Sequence, residues 1–583
     1  MAVESVTSVG RPTLSARPAP AETSVRSRPA FPRWLRAFGL YLLASLLTVG
    51  WYALSHPSSV CACIGNADPA QYMWSLQWYP YALVHGLDPF TPHVVWAPTG
   101  INIARAATIP TAAYALAPIT ALFGPIVSYN VLTILSPALT GLTTYLLCRR
   151  ITGRELPALA GGLLFAFGNY DLTQLIAHPN LFAIFLIPAM VHLAVRRVEG
   201  DLSRRWYIVA LAVCILAQLG LSTEVLATAV AFGGLTILLA AWFVGPTRRP
   251  QVWRLLRDTV IAGLLAALVA SPFLYYALFD GGLPHGPGGI SDVYGLDLLN
   301  PLIPTRVSWL LSHAFLSLGL TFENANIAEA DGYLTIPFIA AFFIWYARTS
   351  RRVLARLLLA VAIVTFVAAL GSHLHIAGFQ TIALPYQLIR HMAIADFLTP
   401  SRIIMYTTLA MTIGVAAWLA EARESRRSRI LRWGTFALIV ALLFPNIPTL
   451  YWGTRPSNPS FFATAAYKRY LTRGEMLVAL PYGADDNSEL WQAETNFYFS
   501  MPEGYFGNSA PNAFALNPTV NALGGDQTPT AAQFLDFVRQ YHVRDIAIDA
   551  TVPGSYVSYF QSLGLRPITT GGIILFPIPA SWR

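Results

Sequence analysis

Asp68 is the residue whose type and position point most directly to acid–base chemistry. It follows the first long apolar stretch and opens the aromatic segment DPAQYMWSLQWYPYALVHG. A carboxylate beside aromatic rings that exclude water has a raised proton affinity and can act as a general base. Asp followed by Pro is also an ordinary start of a helix. The residues alone leave both interpretations open.

Three further polar residues stand at the edges of apolar runs. His178 lies in NYDLTQLIAHPN, Glu224 follows LGLST, and Asp331 stands beside Glu329 in EADGYLTIP. An acid at the edge of a membrane segment is costly unless it faces a cavity, so these residues are candidates for a substrate pocket. The alternatives are a loop histidine that meets solvent and acids that stabilise a helix N-terminus.

A few arginines stand apart from the arginine-rich loops of the chain. They are Arg105, Arg306, Arg390 and Arg402, the last of which follows Pro400 in DFLTPSRIIMY. A guanidinium group binds phosphate oxygens in a bidentate manner, so these arginines suit a lipid phosphate or pyrophosphate. We expect Arg402 and Arg105 to bind substrate. Simple anchoring to lipid headgroups is the alternative.

Apolar runs alternate with two kinds of loop, and this pattern predicts a polytopic membrane protein. The arginine-rich loops are residues 149–154, 196–205, 248–257, 348–356 and 423–432. Basic loops stay on the cytoplasmic side, which places the N-terminus inside and the candidate residues on the outer face. About eleven spans are predicted, at residues 34–54, 127–148, 156–170, 180–196, 206–221, 225–244, 258–279, 333–347, 354–371, 400–420 and 431–450. A crossing at 107–123 would put the later basic loops outside, so this segment is predicted to be interfacial or re-entrant.

The composition agrees with a membrane protein. The chain is 55% hydrophobic and 11% charged, whereas soluble domains are roughly a quarter charged. The net charge of +9 comes from the basic loops, which face anionic lipid, so we expect no nucleic-acid partner. Cys61 and Cys63 fall in an outer loop where an oxidising compartment could pair them, although a pairing two residues apart is strained. The cysteines do not form a zinc pattern.

Three regions follow from these patterns. Residues 1–32 are predicted to be a disordered cytoplasmic tail, and 33–450 a transmembrane domain with large outer loops at 55–126 and 280–332. Residues 451–583 are predicted to form a small extracytoplasmic α/β domain, because MLVALPY, RDIAIDA and GGIILFPIP read as strands and AAQFLDFVRQY and SYVSYFQSLG as helices. The predicted fold class is therefore a membrane all-α bundle of about eleven helices, with interfacial helices in the first outer loop, plus this α/β domain.

Common catalytic signatures are absent from the sequence. There is no GxxxxGK[ST], HExxH or GxSxG motif, and no GxGxxG between a strand and a helix. The glycine-rich stretch GGLPHGPGG follows no strand, so we interpret it as a loop rather than as a phosphate cradle.

The chain resembles the GT-C superfamily of membrane glycosyltransferases, in the manner of its large bacterial members. The resemblance lies in an early acid after the first span, an interfacial helix before the second, and the segments NYDLTQLIAHPNLFAIFLIPAMVHLAVRR and LPYQLIRHMAIADFLTPSRIIMYTTLAM. It covers about residues 34–450. Members transfer a sugar from a polyprenyl-phosphate carrier outside the cytoplasm. Their catalytic acid corresponds to Asp68, but the paired acidic motif is replaced by Asn66-Ala67-Asp68, which puts dependence on a divalent metal in doubt.

The resemblance implies an inverting transfer in the bacterial plasma membrane. Asp68 would deprotonate the hydroxyl of a glycan, lipid or protein acceptor, while Arg402 stabilises the departing phosphate. His178 and Glu224 would line the pocket. A catalytically inactive scaffold of cell-envelope assembly is one alternative, which the lost acid supports. A lipid or solute transporter is another, but it predicts polar residues in mid-span rather than at span ends.

Overall fold

The structure is a computed structural model. It describes residues 32–64, 67–280, 290–323, 326–392, 395–421, 425–449, 452–483, 487–506 and 510–583. The predicted tail at 1–32, except for Pro32, and the glycine-rich loop at 281–289 lie outside the described residues, as does Asn66.

Helices dominate residues 32–449. The first part contains α1 (Arg33–Ser45), α2 (Trp51–Ser55), α3 (Ala67–His85), α4 (Pro110–Phe123), α5 (Pro125–Thr152), α6 (Glu155–Ala166), α7 (Asn169–Gln174), α8 (Pro179–Phe182), α9 (Leu186–Val198), α10 (Arg204–Leu219), α11 (Thr223–Phe243), α12 (Arg249–Val269) and α13 (Ser271–Leu278). The second part contains α14 (Ile290–Val293), α15 (Leu316–Thr321), α16 (Ile336–Thr349), α17 (Val353–Ala369), α18 (Ile404–Ala420) and α19 (Arg426–Leu443), with the hairpin β1 (His373–Ile376) and β2 (Phe379–Ala383) between α17 and α18.

Five described helical segments are long and apolar enough to cross a membrane, which makes this a membrane protein. They are Arg33–Ser55, Pro125–Thr152, Pro179–Val198, Thr223–Phe243 and Pro400–Ala420. The pair α12 and α13, bent by 80°, would make a sixth if it is one span. Two of the other predicted spans coincide with the shorter apolar helices α16 and α17. The count of eleven stays a prediction.

The ends of α5 show how local sequence sets a span. The helix begins at Pro125, where the missing N–H costs nothing, and Gly153 ends it in the left-handed conformation at φ 68°. Its middle packs on Tyr41 of α1, which is fully buried. A Cβ on Gly162 of α6 would stand 2.1 Å from the Tyr41 hydroxyl, so glycine is needed for this close approach.

The arginine-rich loops meet at one end of the bundle. Arg197, Arg204 and Arg257 all bind Asp258, which is fully buried. The opposite end holds both ends of α4. Its Thr111 N–H donates to Gly220 O at 2.8 Å, after the far end of α10, and Gly124 at its other end lies beside Glu494. Both ends of α4 therefore lie at the same end of the bundle, and its place relative to the membrane stays a prediction.

The C-terminal segment, residues 452–583, has mixed structure. Its helices are α20 (Ser460–Ala463), α21 (Ser488–Glu494), α22 (Asn512–Ala515), α23 (Pro518–Gly524), α24 (Ala531–Tyr541) and α25 (Tyr556–Ser562). Its strands are β3 (Met476–Leu480), β4 (Val543–Asp549), β5 (Ile568–Thr570) and β6 (Ile573–Pro577), in the order β3-β4-β6-β5. Strands β3 and β4 are parallel and the other neighbours antiparallel. The predicted strands and helices of this segment therefore form where their patterns placed them.

The C-terminal segment shares one hydrophobic core with residues between α2 and α5. The Trp74 indole of α3 donates to Gln492 Oε1 at 2.6 Å. Backbone bonds at 2.8 and 2.9 Å join Trp96 to Glu503 and Met501 to Val94. The aromatic rings at the centre of α3 are covered by protein, since Trp74 and Trp78 are 0% and 2% exposed.

Buried carboxylates are a feature of the C-terminal segment. Burial raises the pKa of Glu489 and of Glu494 to about 7. Burial and the adjacent Glu475 carboxyl raise the pKa of Asp545 to about 7. These groups hold their protons more tightly when the chain is folded than when it is unfolded.

The two outer cysteines are bonded in the structure. Cys61 and Cys63 form a disulfide, and both residues are fully buried. Backbone bonds from Cys61 to Thr454 and from Ile64 N–H to Ile176 O, at 2.8 Å each, place this loop between the C-terminal segment and α7. The loop leads directly into α3.

Candidate functional site

Asp68 lies in the first turn of α3, at the end of the bundle opposite the arginine-rich loops. Its side chain is 30% exposed, and its Oδ2 lies 3.4 Å from Nε2 of His178. The hydroxyl of Tyr505, from the C-terminal segment, donates a hydrogen bond to the same carboxylate. The carboxylate is therefore held from two sides and still reaches solvent.

The orientation of His178 is fixed by a chain of hydrogen bonds. Gln174 Nε2 donates to Ala328 O at 2.8 Å and points toward Asp331 Oδ2 at 3.4 Å. The other amide atom of Gln174, Oε1, therefore accepts from His178 Nδ1 at 2.9 Å. With Nδ1 engaged in this way, Nε2 of the ring is left to face Asp68.

The position of Tyr505 depends on α21. Its backbone N–H donates to a carboxylate oxygen of Glu489, which is buried in that helix. The next turn of α21 carries Gln492, the partner of Trp74 on α3. One short helix thus aligns Tyr505 with the helix that carries Asp68.

Arg402 lies beside this group, at the start of the α18 span, and is held by two glutamates. It donates from Nε to Glu329 Oε2 at 3.0 Å and from a terminal nitrogen to Glu224 Oε2 at 2.6 Å, with a further bond to Glu329 Oε1. Three of its five N–H groups are used in this way. Glu224 also accepts from the Thr399 backbone at 3.3 Å, and a small cavity opens between these residues and Tyr170.

The carboxyl groups of this region differ in the direction in which their surroundings shift the pKa. Burial alone would raise the pKa of Asp68, but the hydrogen bonds from His178 and Tyr505 and the nearby Arg402 lower it below its usual value. The expectation of a raised proton affinity at Asp68 is therefore wrong, because the polar partners outweigh the aromatic surroundings. Asp68 is a carboxylate at neutral pH.

Two other buried acids show the opposite shift. Asp171 and Asp331 are each 1% exposed, and burial raises the pKa of both well above the ordinary value. Neither oxygen of Asp171 has a hydrogen-bond partner among the described residues, nor has Oδ1 of Asp331. The carboxyl groups of this region therefore differ in proton affinity, which is typical of sites that handle protons.

The structure brings five of the six predicted site residues together. Asp68, His178, Glu224, Asp331 and Arg402 form one cluster, at the end of the bundle away from the arginine-rich loops. Arg105 does not join it, because its Nε donates to Ala277 O at 3.2 Å and ties it to the end of α13.

The other arginines that stand outside the basic loops are also engaged. Arg306 binds Glu323 through two bonds, at 2.9 and 2.7 Å. Arg390 binds both oxygens of Asp292, at 2.8 and 2.6 Å. The bidentate geometry that we expected for a lipid phosphate is thus given to carboxylates of the chain itself.

A family model covers most of this bundle. The model described as "Domain of unknown function (DUF6311)" matches residues 38–444. The chain belongs to this family. No curated protein matches it.

Solved structures show the wider fold to which this DUF6311 protein belongs. Arabinofuranosyltransferase AftD from mycobacteria matches with a TM-score of 0.62 at 14% identity, over 94% of this chain and 40% of AftD. The Archaeoglobus fulgidus oligosaccharyltransferase matches with a TM-score of 0.51 at 14% identity, over 90% of this chain and 70% of that one. Both are GT-C glycosyltransferases, so the fold is the one that the sequence resemblance implied. The chain spans less than half the length of AftD.

Sequence reasoning did not find three residues of the cluster. Glu329 was noted beside Asp331 but not assigned to the site. Gln174 stands in the same segment as His178, and its spacing of four residues was the available signal. Tyr505 lies in a stretch without periodicity, far from Asp68 in the chain, and nothing local marks it.

Proposed function

We propose that this DUF6311 protein is a membrane glycosyltransferase that moves a sugar from a polyprenyl-phosphate carrier to an envelope glycan, lipid or protein acceptor. The observation that supports this most directly is the ionised Asp68, held by His178 and Tyr505 at a solvent-reaching position. The GT-C fold adds support. We place the reaction on the outer face of a bacterial plasma membrane, with the N-terminus inside, because the cluster lies opposite the arginine-rich loops.

The proposed reaction is a single displacement with inversion. The acceptor hydroxyl oxygen attacks the anomeric carbon, and the bond from that carbon to the phosphate oxygen breaks. The phosphate leaves with the bonding electron pair, and Asp68 takes the hydroxyl proton. A lowered pKa keeps Asp68 ready as an acceptor at neutral pH, and the phosphate is a good leaving group that needs no separate acid.

The remaining residues position and tune this base. His178 and Tyr505 hold the carboxylate in one orientation, and Gln174 keeps His178 in place. Arg402 organises Glu224 and Glu329 along the pocket and lowers the pKa of Asp68 through its charge. We assign Asp331 to the wall of the pocket behind Gln174.

A divalent metal does not fit the residues around Asp68. Among the described residues, no group of three or more His, Cys, Asp or Glu side chains is arranged to hold a metal ion. The two glutamates nearest to Arg402 are already neutralised by it. The mechanism therefore uses only side chains of the chain.

The test is a genetic complementation with a chemical readout. The gene is deleted in its host, and envelope glycans and glycolipids are profiled by mass spectrometry after restoring wild type, Asp68→Asn or Asp88→Asn. Asp88 is the matched control, since it is an exposed acid just after the same helix. We expect one sugar unit to disappear on deletion and to return with wild type and Asp88→Asn only.

Rescue by Asp68→Asn would contradict the proposed base and favour a non-catalytic scaffold. A wild-type strain and a deletion strain with the same sugar inventory would contradict glycosyl transfer altogether. Protein levels in the membrane, measured by immunoblot, separate a loss of chemistry from a loss of the protein.

A further inference from the structure

A wide groove opens at the end of the bundle that carries the arginine-rich loops. It has a volume of about 770 Å³, in the range of pockets that bind small ligands. It lies where α1 begins, α5 ends, α6 begins, α18 ends and α19 begins. Its charged lining consists of Arg33, Arg36, Arg149, Arg154, Arg429 and Glu155.

Most of the groove arginines have no acidic partner among the described residues. Some other arginines at this end are neutralised, as in the three that bind Asp258. In the groove, Arg149 lies 3.4 Å from Glu155, which also accepts from the Tyr145 hydroxyl at 2.7 Å. The other four arginines make no side-chain hydrogen bond or ion pair with any described residue. The groove thus holds a surplus of positive charge in a concave site.

The rest of the lining is apolar and points to a lipid. Leu40, Leu156, Leu159, Leu419 and Trp433 line the same groove. Just outside it, the Trp34 side chain at the start of the first span is 51% exposed. A tryptophan at the end of a span is typical of the membrane–water interface. The apolar side chains can contact an acyl chain here, and the arginines can contact a charged headgroup.

We propose that this groove binds the phosphodiester headgroup of an anionic phospholipid from the adjacent leaflet. Arginine forks match phosphate oxygens, and the unpaired guanidinium groups need no internal ion pair to be broken first. The site lies at the opposite end of the bundle from Asp68, and the inference is independent of the proposed glycosyl transfer.

The test compares lipid retention by two variants with equal loss of charge. The full chain in detergent is titrated with phosphatidylglycerol or phosphatidylcholine, and bound lipid is counted by native mass spectrometry. The groove variant is R33Q/R36Q/R154Q/R429Q. The matched control is R248Q/R249Q/R351Q/R352Q, which removes four exposed arginines from other basic loops, outside the groove.

We expect wild type to retain one phosphatidylglycerol at least tenfold more tightly than phosphatidylcholine. The groove variant should lose this preference, and the control variant should keep it within about twofold. Equal losses in both variants would show diffuse attraction to charge and overturn the proposal. So would a wild-type chain without preference between the two lipids.

Two further arms exclude other occupants. Displacement of phosphatidylglycerol by low millimolar inorganic phosphate would indicate a site for a soluble phosphate and overturn the lipid assignment. Loss of the phosphatidylglycerol preference after removal of residues 1–31 would show that this segment rather than the groove holds the lipid, with the same consequence. If the fourfold groove variant unfolds, as judged by its thermal midpoint, the pairs R33Q/R36Q and R154Q/R429Q replace it, and each should weaken binding by at least threefold.

Discussion

Replacing Arg402 by methionine should destabilise the protein strongly at neutral pH. The side chain of Glu329 is 3% exposed, and those of Glu224 and Arg402 are 18% and 19% exposed. Methionine fills a similar volume but removes the cation that binds both carboxylates. Both glutamates would then face each other in a poorly hydrated site.

The size of the effect follows from this burial. Removing one partner of a buried ion pair costs about 3–5 kcal/mol, because the remaining charge has neither water nor a counter-ion. A loss of about 1 kcal/mol lowers the midpoint of thermal unfolding by roughly 2–4 °C in a unit of a few hundred residues. We therefore expect Arg402→Met to lower the midpoint by roughly 10 °C. Acidic buffer should restore part of the loss, since protonated glutamates no longer repel each other.

The assay is thermal unfolding of the detergent-solubilised chain, followed by intrinsic tryptophan fluorescence at pH 5.5 and pH 8. The triple variant R402M/E224Q/E329Q is the decisive companion, because replacing all members of a buried ionic group by neutral residues is often nearly neutral. It should recover most of the lost stability. An R402M midpoint within about 1 °C of wild type at pH 8 would refute the reasoning, and so would a triple variant no more stable than R402M.

Three other outcomes follow from the structure. Asp545→Asn should raise the thermal midpoint at pH 8 by a few degrees and leave it unchanged at pH 4. The pKa of Asp545 is about 7 in the folded chain against an ordinary value of 3.8. The stabilising contribution of its protonated form is therefore complete below about pH 4 and lost by about pH 7. Tyr505→Phe should move the acidic limb of a pH profile of transfer in washed membranes to higher pH, because the pKa of Asp68 rises when a hydrogen bond to its carboxylate is removed. Gly162→Val should reduce the yield of monodisperse protein in size-exclusion chromatography, whereas Gly263→Val, with nothing within 4 Å of its Cβ, should not. An unchanged midpoint for Asp545→Asn at pH 8 would contradict the first expectation, and an unshifted acidic limb for Tyr505→Phe the second. Equal yields of the two glycine variants would contradict the third.

The arrangement of the site was predictable from the sequence to the extent that membrane topology determines it. The arginine-rich loops define one end of the bundle, so acids and histidines at the other ends of the helices are gathered together. This reasoning predicts that Asp68, His178, Glu224, Asp331 and Arg402 lie at the same end of the bundle. Arg105 fails the same reasoning, because it lies on the correct side but is held by the α12–α13 bend, which no composition pattern predicts.

The electrostatics could not be predicted in the same way. Arg402 binds carboxylates that stand 73 and 178 residues away in the chain. The sequence suggests a free cation at this position, whereas the structure shows one whose charge is neutralised. Tyr505 comes from the C-terminal segment, and together with His178 and Arg402 it reverses the direction in which burial alone would move the pKa of Asp68. Such pairings depend on tertiary packing, for which a single sequence carries no local signal.

The pairing of Arg402 constrains how a carrier phosphate would reach it. A phosphate cannot simply be added to a guanidinium that already serves two carboxylates, because the pocket would then hold a large excess of negative charge. Of the two partners, Glu329 makes two bonds to Arg402 and is almost fully buried, whereas Glu224 makes one and is more exposed. Glu224 is therefore the partner that a phosphate would replace, and Glu329 the one that keeps the arginine in place. Release of Glu224 would open the small cavity beside Tyr170, so binding of the carrier and opening of the pocket would be one event.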